Sequence, residues 1–304
     1  MGFLTDLSRA LYDFKGIAQD LSRRSLGQVF GVLLVLSVIY GSVTGIWYAN
    51  ALTDLLVITT EEARTQVPPF TIENGKLTSP VKQPYVVTEH TLSETFFTNL
   101  GSWLKRRFHV SVPSAKDAML SWTGGADSRL FCLVLDTTDT YEQVVKPEEY
   151  QVYVVADKDS IKYVGENQSG MSRSREVMYS ETQRTGPLTV SPDMIRSDVV
   201  RAKVQGPIRG WLVGLSILFT FIRFAFKALF VGLFGLLLSM LAKKELSFGR
   251  TFAIAVYALV PVVICGMVKV VAMPYPGILL FLIHLVYGLV PVLMATSEER
   301  AATS

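Results

Sequence analysis

The side chains best suited to chemistry in this sequence are four bases in or beside long apolar segments: Arg223, Lys227, Lys269 and His284. Arg223 and Lys227 are four residues apart, so they share one face of a helix. The apolar segments contain no Asp or Glu, and a charge inside a bilayer either reaches the headgroups or faces a polar interior. Two interpretations stand. The bases snorkel to headgroups or pair with carboxylates outside the segments, or they bind an anionic group such as a lipid phosphate or an acidic glycan.

Catalytic and metal-binding patterns are absent from the sequence. The three histidines, His90, His109 and His284, show no metal-ligand spacing. The segment Trp122-Thr-Gly-Gly-Ala-Asp-Ser128 lacks the Gly-x-Ser-x-Gly of a nucleophile elbow, and no phosphate-binding or dinucleotide-binding glycine loop occurs. A net charge of +3 without a concentrated basic face argues against nucleic acid as a partner. We therefore expect no enzymatic activity, no metal and no cofactor.

Four apolar segments position these bases. Of the 304 residues 50% are hydrophobic, and the mean hydropathy is +0.35, which is unusual for a soluble chain. Each segment reaches the ~20 residues that a helix needs to cross the hydrocarbon core. The expected fold is a four-span α-helical membrane bundle with an inserted extracytoplasmic α+β domain. The segments are 29–49, 211–242, 252–272 and 277–296, and the polar insert is 51–208.

Charge next to the spans sets the expected orientation. Lys and Arg concentrate before the first span and after the second, whereas the turn 273–277 has none. By the positive-inside rule, both termini lie in the cytoplasm and the insert lies outside the inner membrane. The expected divisions are a cytoplasmic amphipathic helix 1–28, a first transmembrane helix 29–50, an extracytoplasmic domain 51–208, a three-helix transmembrane region 209–296 and a cytoplasmic tail 297–304.

Residues 3–21 carry apolar side chains at helical spacing. Such a helix either lies along the inner membrane surface or packs on the bundle, and the sequence does not choose between the two. Gly41-x-x-x-Gly45 and Gly210-x-x-x-Gly214 allow helices to approach closely, within one chain or in a homodimer. The two cysteines, Cys132 and Cys265, lie in different regions, so no disulfide is expected.

Two prolines are expected to kink the last helices. The hexapeptide Tyr257-Ala-Leu-Val-Pro-Val262 recurs as Tyr287-Gly-Leu-Val-Pro-Val292. Pro261 and Pro291 each remove the hydrogen bond to the carbonyl four residues earlier, and that carbonyl then needs another partner. The recurrence is either an inverted repeat of the kind found in transporters or a coincidence among residues common in spans.

The insert shows both strand and helix patterns. Asn74-Gly75 between alternating residues predicts a type I′ hairpin. Thr91-x-x-Glu94 predicts a capping box at the start of a helix over about 92–108. A further helix beginning at Pro192 leads toward the second span, which we interpret as one long helix. Strands are predicted at 84–88, 130–135, 151–155, 160–164 and 175–179, with a turn at 157–159.

Several stretches together resemble a bacterial family of unknown function, uncharacterised domain family 1189, which includes a maltodextrin-utilisation membrane protein. They are Phe70-Thr-Ile-Glu-Asn-Gly-Lys-Leu77, Val134-Leu-Asp-Thr-Thr138, Val154-Val-Ala-Asp-Lys-Asp-Ser-Ile161 and Leu246-Ser-Phe-Gly-Arg250 with Tyr257-Ala-Leu-Val-Pro261. The last stretch is also remotely similar to a Yip1-type helical membrane domain. The resemblance implies a multi-pass inner-membrane protein with an extracytoplasmic domain, and it supplies no catalytic residues.

The expected role is that of a non-enzymatic accessory or binding protein of the bacterial inner membrane. Its extracytoplasmic domain is expected to contact an envelope partner or ligand, with a link to carbohydrate uptake implied by the family label. The expected partners are membrane lipid and another envelope or membrane protein, with a homodimer as an alternative. A transporter or channel subunit is the second interpretation, and a membrane enzyme acting on lipid-linked substrates is the third.

Overall fold

Residue contacts divide the chain into two units. The computed structural model describes residues 3–110, 112, 114, 116, 129–146, 149–166, 172–181, 186–242, 246–271 and 277–295. The helical unit comprises residues 1–51 and 205–304, and the mixed unit comprises residues 52–204. Two long helices, α3 (Leu26–Gln66) and α5 (Ser197–Leu241), contribute residues to both units. The other helices are α1 (Phe3–Tyr12), α2 (Phe14–Gln19), α4 (Glu94–Phe108), α6 (Phe248–Tyr257), α7 (Leu259–Val271) and α8 (Gly277–Met294).

Three helices among the described residues are long and apolar enough to cross a membrane. They are Leu26–Gln66, Pro192–Leu241 and Phe248–Val268. A shorter apolar helix, Ile278–Met294, lies where the sequence predicts a fourth span. The first of them continues well past the predicted end of its span, because no Gly or Pro interrupts residues 50–66 and the prolines that stop it are Pro68 and Pro69.

Two glycines of α3 bring it close to α5 in the helical unit. A Cβ added at Gly41 would lie 2.6 Å from the Cα of Ile217, and one added at Gly45 would lie 2.6 Å from the Cα of Val213. Residue numbers rise along α3 as they fall along α5, so the two helices are antiparallel. The first glycine pair named in the sequence therefore packs within the chain.

The remaining helices of this unit alternate in direction. Gly288 of α8 lies against Val231 of α5, and Gly235 lies against Val292, so α5 and α8 are parallel. α3 also contacts α6, where the ring centroids of Phe30 and Phe252 lie 5.8 Å apart. Since Tyr40 further along α3 lies against Gly266 of α7, α3 runs parallel to α6 and α7.

The N-terminal segment forms two helices rather than the single helix expected over 3–21. The break falls at Asp13, whose carboxylate accepts a 2.7 Å hydrogen bond from the Gly16 N–H and caps α2. Hydrogen bonding to Gly16 and to Arg9 lowers the pKa of Asp13. The apolar stripe is buried, with Ile17 and Leu21 fully so, and contacts α6 and α8. Of the two interpretations, packing on the other helices is the one observed.

The mixed unit contains two sheets. The three-stranded sheet has the order β2-β1-β8 and is antiparallel, and the five-stranded sheet has the order β3-β4-β5-β6-β7, in which only the β4–β5 pair is parallel. Asn74 and Gly75 have φ of 52° and 73°, which confirms the type I′ hairpin. The strands are β1 (Phe70–Glu73), β2 (Lys76–Thr78), β3 (Tyr85–Thr88), β4 (Phe131–Leu135), β5 (Val152–Ala156), β6 (Ser160–Glu166), β7 (Ser172–Met178) and β8 (Leu188–Val190).

The core of the mixed unit lies on both faces of the larger sheet. Leu135 on one face packs with Leu77 and Tyr179, so the two sheets meet there. On the other face, Cys132 and Val134 are covered by Tyr141, Val145 and Tyr150. The predicted strands are confirmed, and the short β8 was not predicted. The predicted capping box at Thr91 and Glu94 is wrong: the N-cap of α4 is Ser93, whose hydroxyl accepts from the Phe96 N–H, and the box closes one turn earlier, between Thr88 and Thr91.

Asp136 anchors the loop that follows β4. Its fully buried carboxylate accepts hydrogen bonds of 2.6–2.8 Å from the Thr138 hydroxyl and from the N–H groups of Thr138, Thr140 and Tyr141. Burial alone would raise the pKa of Asp136, but these four donors outweigh it and lower that pKa. The carboxylate therefore replaces the regular backbone hydrogen bonds that the turning chain loses.

Candidate functional site

The two predicted cations lie at the edge of the side of α5 that faces the other helices. Phe224, Ala228 and Val231 on this side are buried, and Arg223 and Lys227 flank them one turn apart. Arg223 is exposed and Lys227 is half-buried. The largely apolar sequence of α5 favours a long helix, and its 3.6-residue period places both cations beside the buried row.

His284 of α8 is completely buried. Its Nε2 lies 2.9 Å from the carbonyl oxygen of Ala255 in α6. A carbonyl can only accept, so Nε2 carries the hydrogen. In the neutral ring Nδ1 then presents a lone pair, and within the described residues Nδ1 has no hydrogen-bond partner. A buried polar atom without a partner is uncommon and marks a place where another donor would be stabilised.

The packing register places Lys227 beside His284. Val231 of α5 lies against Gly288 of α8, and the two helices are parallel. Lys227 is four residues before Val231, and His284 is four residues before Gly288. One turn back along each helix, the same contact row reaches Lys227 and His284. The ammonium is close enough to act electrostatically on the imidazole.

Tyr40 of α3 is a further polar side chain near these bases, and it lies close to Arg223 of α5. Its ring lies 5.6 Å from that of Phe224, and its hydroxyl is within electrostatic range of Arg223. The absence of a side chain at Gly266 makes space for this ring, because a Cβ there would lie 2.6 Å from it. We call Tyr40, Arg223, Lys227 and His284 the polar track.

Sequence reasoning found three members of the polar track and missed Tyr40. The signal was present, since a tyrosine in mid-segment lies away from the interfaces where that residue is common in membrane helices. Thr44, one turn further along α3, was missed too. Its hydroxyl lies 2.7 Å from that of Ser216 on α5.

The remaining predicted site residues lie elsewhere or outside the described part. The side chain of Lys269, in α7, is outside it. Near Pro261, α6 ends at Tyr257 and α7 begins at Leu259, so the helix is interrupted, whereas α8 continues through Pro291. The bend angles at both prolines stay predictions. A Cβ at Gly210 or Gly214 would meet nothing within 4 Å, unlike one at Gly41.

The chemistry of the polar track is that of recognising negative charge. Two cations and a phenol can donate hydrogen bonds, and no carboxylate occurs in the apolar segments to neutralise the cations. Arg and Lys bind phosphate and carboxylate groups by charge-assisted hydrogen bonds. Within the described residues, no three His, Cys, Asp or Glu side chains come together in a group that could hold a metal ion.

Long apolar helices of this kind are compatible with a membrane protein. The chain belongs to the DUF1189 family, described as a protein of unknown function, whose sequence model matches residues 4–99 and 122–293. Neither a curated protein nor a solved structure matches the chain.

Proposed function

We propose that this chain is a non-enzymatic, multi-pass protein of the bacterial inner membrane that binds an anionic group in its helical unit. The mixed unit lies on the extracytoplasmic side and contacts an envelope partner or ligand. The polar track carries the proposal, because its cations have no carboxylate within the apolar segments that contain them.

The helix directions support four passes with both termini on one side. Passing from α3 to α5, then to α6 with α7, and then to α8, each step reverses direction. The shortest pass, α8, has 18 residues. At 1.5 Å per residue it spans about 27 Å, close to the hydrocarbon thickness of ~30 Å. Lys243 and Lys244 follow the second pass, on the side that the positive-inside rule assigns to the cytoplasm.

A lipid phosphate fits the polar track better than a buried carboxylate from another protein. Arg223 is exposed on the surface of its helix, where lipid is the neighbour in a membrane, and Lys227 leads inward from it. His284 at the inner end donates its Nε2–H to the Ala255 carbonyl and leaves Nδ1 as an acceptor, so the two cations make the phosphate contacts. An anionic headgroup that reaches Arg223 and Lys227 supplies the charge that the apolar segments lack.

Lipid binding by the double variant Arg223→Ala, Lys227→Ala tests the proposal. Each charge-assisted hydrogen bond contributes about 1.5–3 kcal/mol, so anionic phospholipid binding should weaken by at least about tenfold. The measurement is native mass spectrometry of the detergent-purified chain titrated with phosphatidylglycerol. Arg209→Ala is the matched control, because Arg209 is on the same helix and contacts Asn50 rather than the polar track. Unchanged binding by the double variant would reject the proposal.

A transport role is the second candidate, and the polar track also favours it. Ionisable side chains buried among membrane helices often line a pathway for ions or substrates. Flux through proteoliposomes that contain the purified chain distinguishes the two. Anion flux that the double variant abolishes would favour transport, whereas lipid binding without flux favours the accessory role.

The proposed contact between the mixed unit and an envelope partner is tested by cross-linking. Cross-linking in native membranes, followed by mass spectrometry, should recover cross-links from lysines such as Lys82 and Lys162 to a second envelope protein. Cross-links between two copies of this chain would instead favour a homodimer.

A further inference from the structure

A second basic site lies wholly within the mixed unit. Asp54, Val57 and Ile58 on α3 face Arg106 and Arg107 at the end of α4, and together they line a cleft of about 500 Å³. The three α3 residues are spaced i, i+3 and i+4, so they form one helix face. We call these five residues the arginine cleft.

Positive charge exceeds negative charge in the arginine cleft. Arg107 is ion-paired with Asp54, and Arg201 of α5 lies 3.6 Å from the same carboxylate. Arg106 is exposed and makes no ion pair with any described residue. Two guanidinium groups thus share one carboxylate, and that of Arg106 adds a further positive charge. The partial negative charge at the end of α4 offsets only part of the excess.

The cleft combines this charge with an apolar surface. Val57 and Ile58 form one wall and are half-buried. Just beyond the arginines, Phe108 and Val110 are 41% and 49% exposed. A cationic rim beside exposed apolar side chains is suited to a ligand that is anionic at one end and apolar at the other.

The position of the cleft along α3 indicates that its ligand is a membrane lipid. The predicted first span ends at 49, after Trp47 and Tyr48, and α3 continues without a break to Gln66. Asp54 therefore follows the span by about 7.5 Å of helix, which is the depth of the headgroups. This step rests on the proposed membrane topology.

We infer that the arginine cleft binds the phosphate of an anionic phospholipid in the leaflet next to the mixed unit. Arg106 and the outward nitrogens of Arg107 donate hydrogen bonds to the phosphate oxygens. Val57 and Ile58 contact the glycerol and the first methylenes of the chains. A planar guanidinium suits this role because it can donate two parallel hydrogen bonds to one phosphate.

Titration of the full detergent-purified chain with phosphatidylglycerol, followed by native mass spectrometry, tests the inference. The titration uses the Arg223→Ala, Lys227→Ala background, so that the polar track contributes nothing and failure of one site is separated from failure of the other. Arg106→Gln should weaken binding about tenfold, the effect of one lost charge-assisted contact. Arg106→Lys should recover part of the affinity, because lysine keeps the positive charge. It should not recover all of it, because an ammonium lacks the two parallel N–H donors of a guanidinium.

Two controls make the result specific. Arg175→Gln removes an equally exposed arginine from β7 and should leave binding unchanged. The unfolding temperature of Arg106→Gln should equal that of the parent, since Arg106 holds no ion pair among the described residues. Arg107 is left intact because its loss would release Asp54.

Three results would each overturn the inference. The first is unaltered phosphatidylglycerol binding by Arg106→Gln. The second is equal binding of phosphatidylcholine with the same chains, which would show that the phosphate charge plays no part. The third is displacement of phosphatidylglycerol by millimolar inorganic phosphate, which would identify the cleft as a site for a soluble anion.

Discussion

The two units satisfy their buried polar groups in different ways. In the helical unit, serine and threonine hydroxyls donate to carbonyls of their own helix: Ser37 donates to the Leu33 carbonyl at 2.7 Å, and Thr44 donates to that of Tyr40 at 2.9 Å. In the mixed unit, single carboxylates accept hydrogen bonds from several donors. Asp136 holds the loop after β4, and Glu62 of α3 accepts from the Ser93 N–H and hydroxyl at the start of α4.

This difference indicates what stabilises each unit. Where polar groups are satisfied within one helix, they say little about how helices pair, and stability comes from close packing. Where one carboxylate gathers several N–H groups, removing it leaves all of them without a partner. Added volume should therefore damage the helical unit most, and loss of a single carboxylate should damage the mixed unit most.

The largest expected effect comes from filling the contact between α3 and α5. Gly41→Leu places a side chain where Ile217 backbone atoms lie 2.6 Å from the new Cβ. Backbone cannot move aside as a flexible side chain does, so we expect a loss of about 3 kcal/mol or more. The measurement is the fraction of detergent-purified protein that stays monodisperse after heating.

Gly31→Leu is the control on the same helix, since a Cβ at Gly31 meets nothing within 4 Å. It should behave like the parent chain. If both variants were equally stable, close approach of α3 and α5 would not be what holds the unit together. Gly214→Leu extends the comparison: its site is open in one chain, so destabilisation there would indicate a homodimer face.

The local parts of this fold follow from sequence, and the points where competing signals meet do not. The hairpin at Asn74-Gly75 was predictable because only a few residue pairs accept positive φ twice in succession. The start of α4 was not. Thr91, Ser93 and Glu94 are all residues found at helix starts, and Glu62 decides the outcome by binding Ser93 from a distant segment. Asp13 was missed as a break because the apolar stripe continues across it.

Asp136→Ala should give the next largest effect, confined to the mixed unit. The change leaves three partly buried N–H groups without their acceptor, which costs about 2 kcal/mol. Cys132 on β4 is a built-in reporter: it is 1% exposed, and burial with the nearby Glu89 raises the pKa of its thiol to about 11. In a Cys265→Ser background, unfolding of the unit is measured as thiol labelling of Cys132 in urea.

Glu142→Ala is the matched control, an exposed carboxylate in the same loop. Labelling midpoints that agree among Asp136→Ala, Glu142→Ala and the parent would mean that the carboxylate does not hold the loop.

The contribution of Asp136 should also depend on pH. Its pKa in the folded chain is lowered from the ordinary value of 3.8, so the stabilisation is fully present above that value. It is lost as pH falls through the lower, folded pKa. The difference in unfolding midpoint between the parent and Asp136→Ala should be constant from pH 7 to about 5 and shrink below about 4. A difference that grew on acidification would contradict the assigned direction.

The candidate site was predictable only where its residues share an element. Arg223 and Lys227 follow from spacing on α5, but their association with Tyr40 depends on helix directions that no single segment reveals. The same is true of His284 and the Ala255 carbonyl, which meet because α6 and α8 pack together. The arginine cleft lies between α3 and α4. In the sequence its only sign is three consecutive bases at 105–107, which resemble any solvated helix end.

The smallest expected effect concerns the one hydroxyl pair that joins α3 to α5 in the described chain. Thr44 and Ser216 lie 2.7 Å apart, but Thr44 has an alternative partner in its own helix, the Tyr40 carbonyl. Thr44→Val keeps the shape and should cost only about 0.6 kcal/mol, the typical value for hydrogen bonds between membrane helices. Combining Thr44→Val with Ser216→Ala in a double-mutant cycle, read out by thermal unfolding in detergent, isolates the pair. A coupling above about 2 kcal/mol would mean that polar contacts, rather than Gly41 and Gly45, hold these helices together, and the contrast between the two units would disappear.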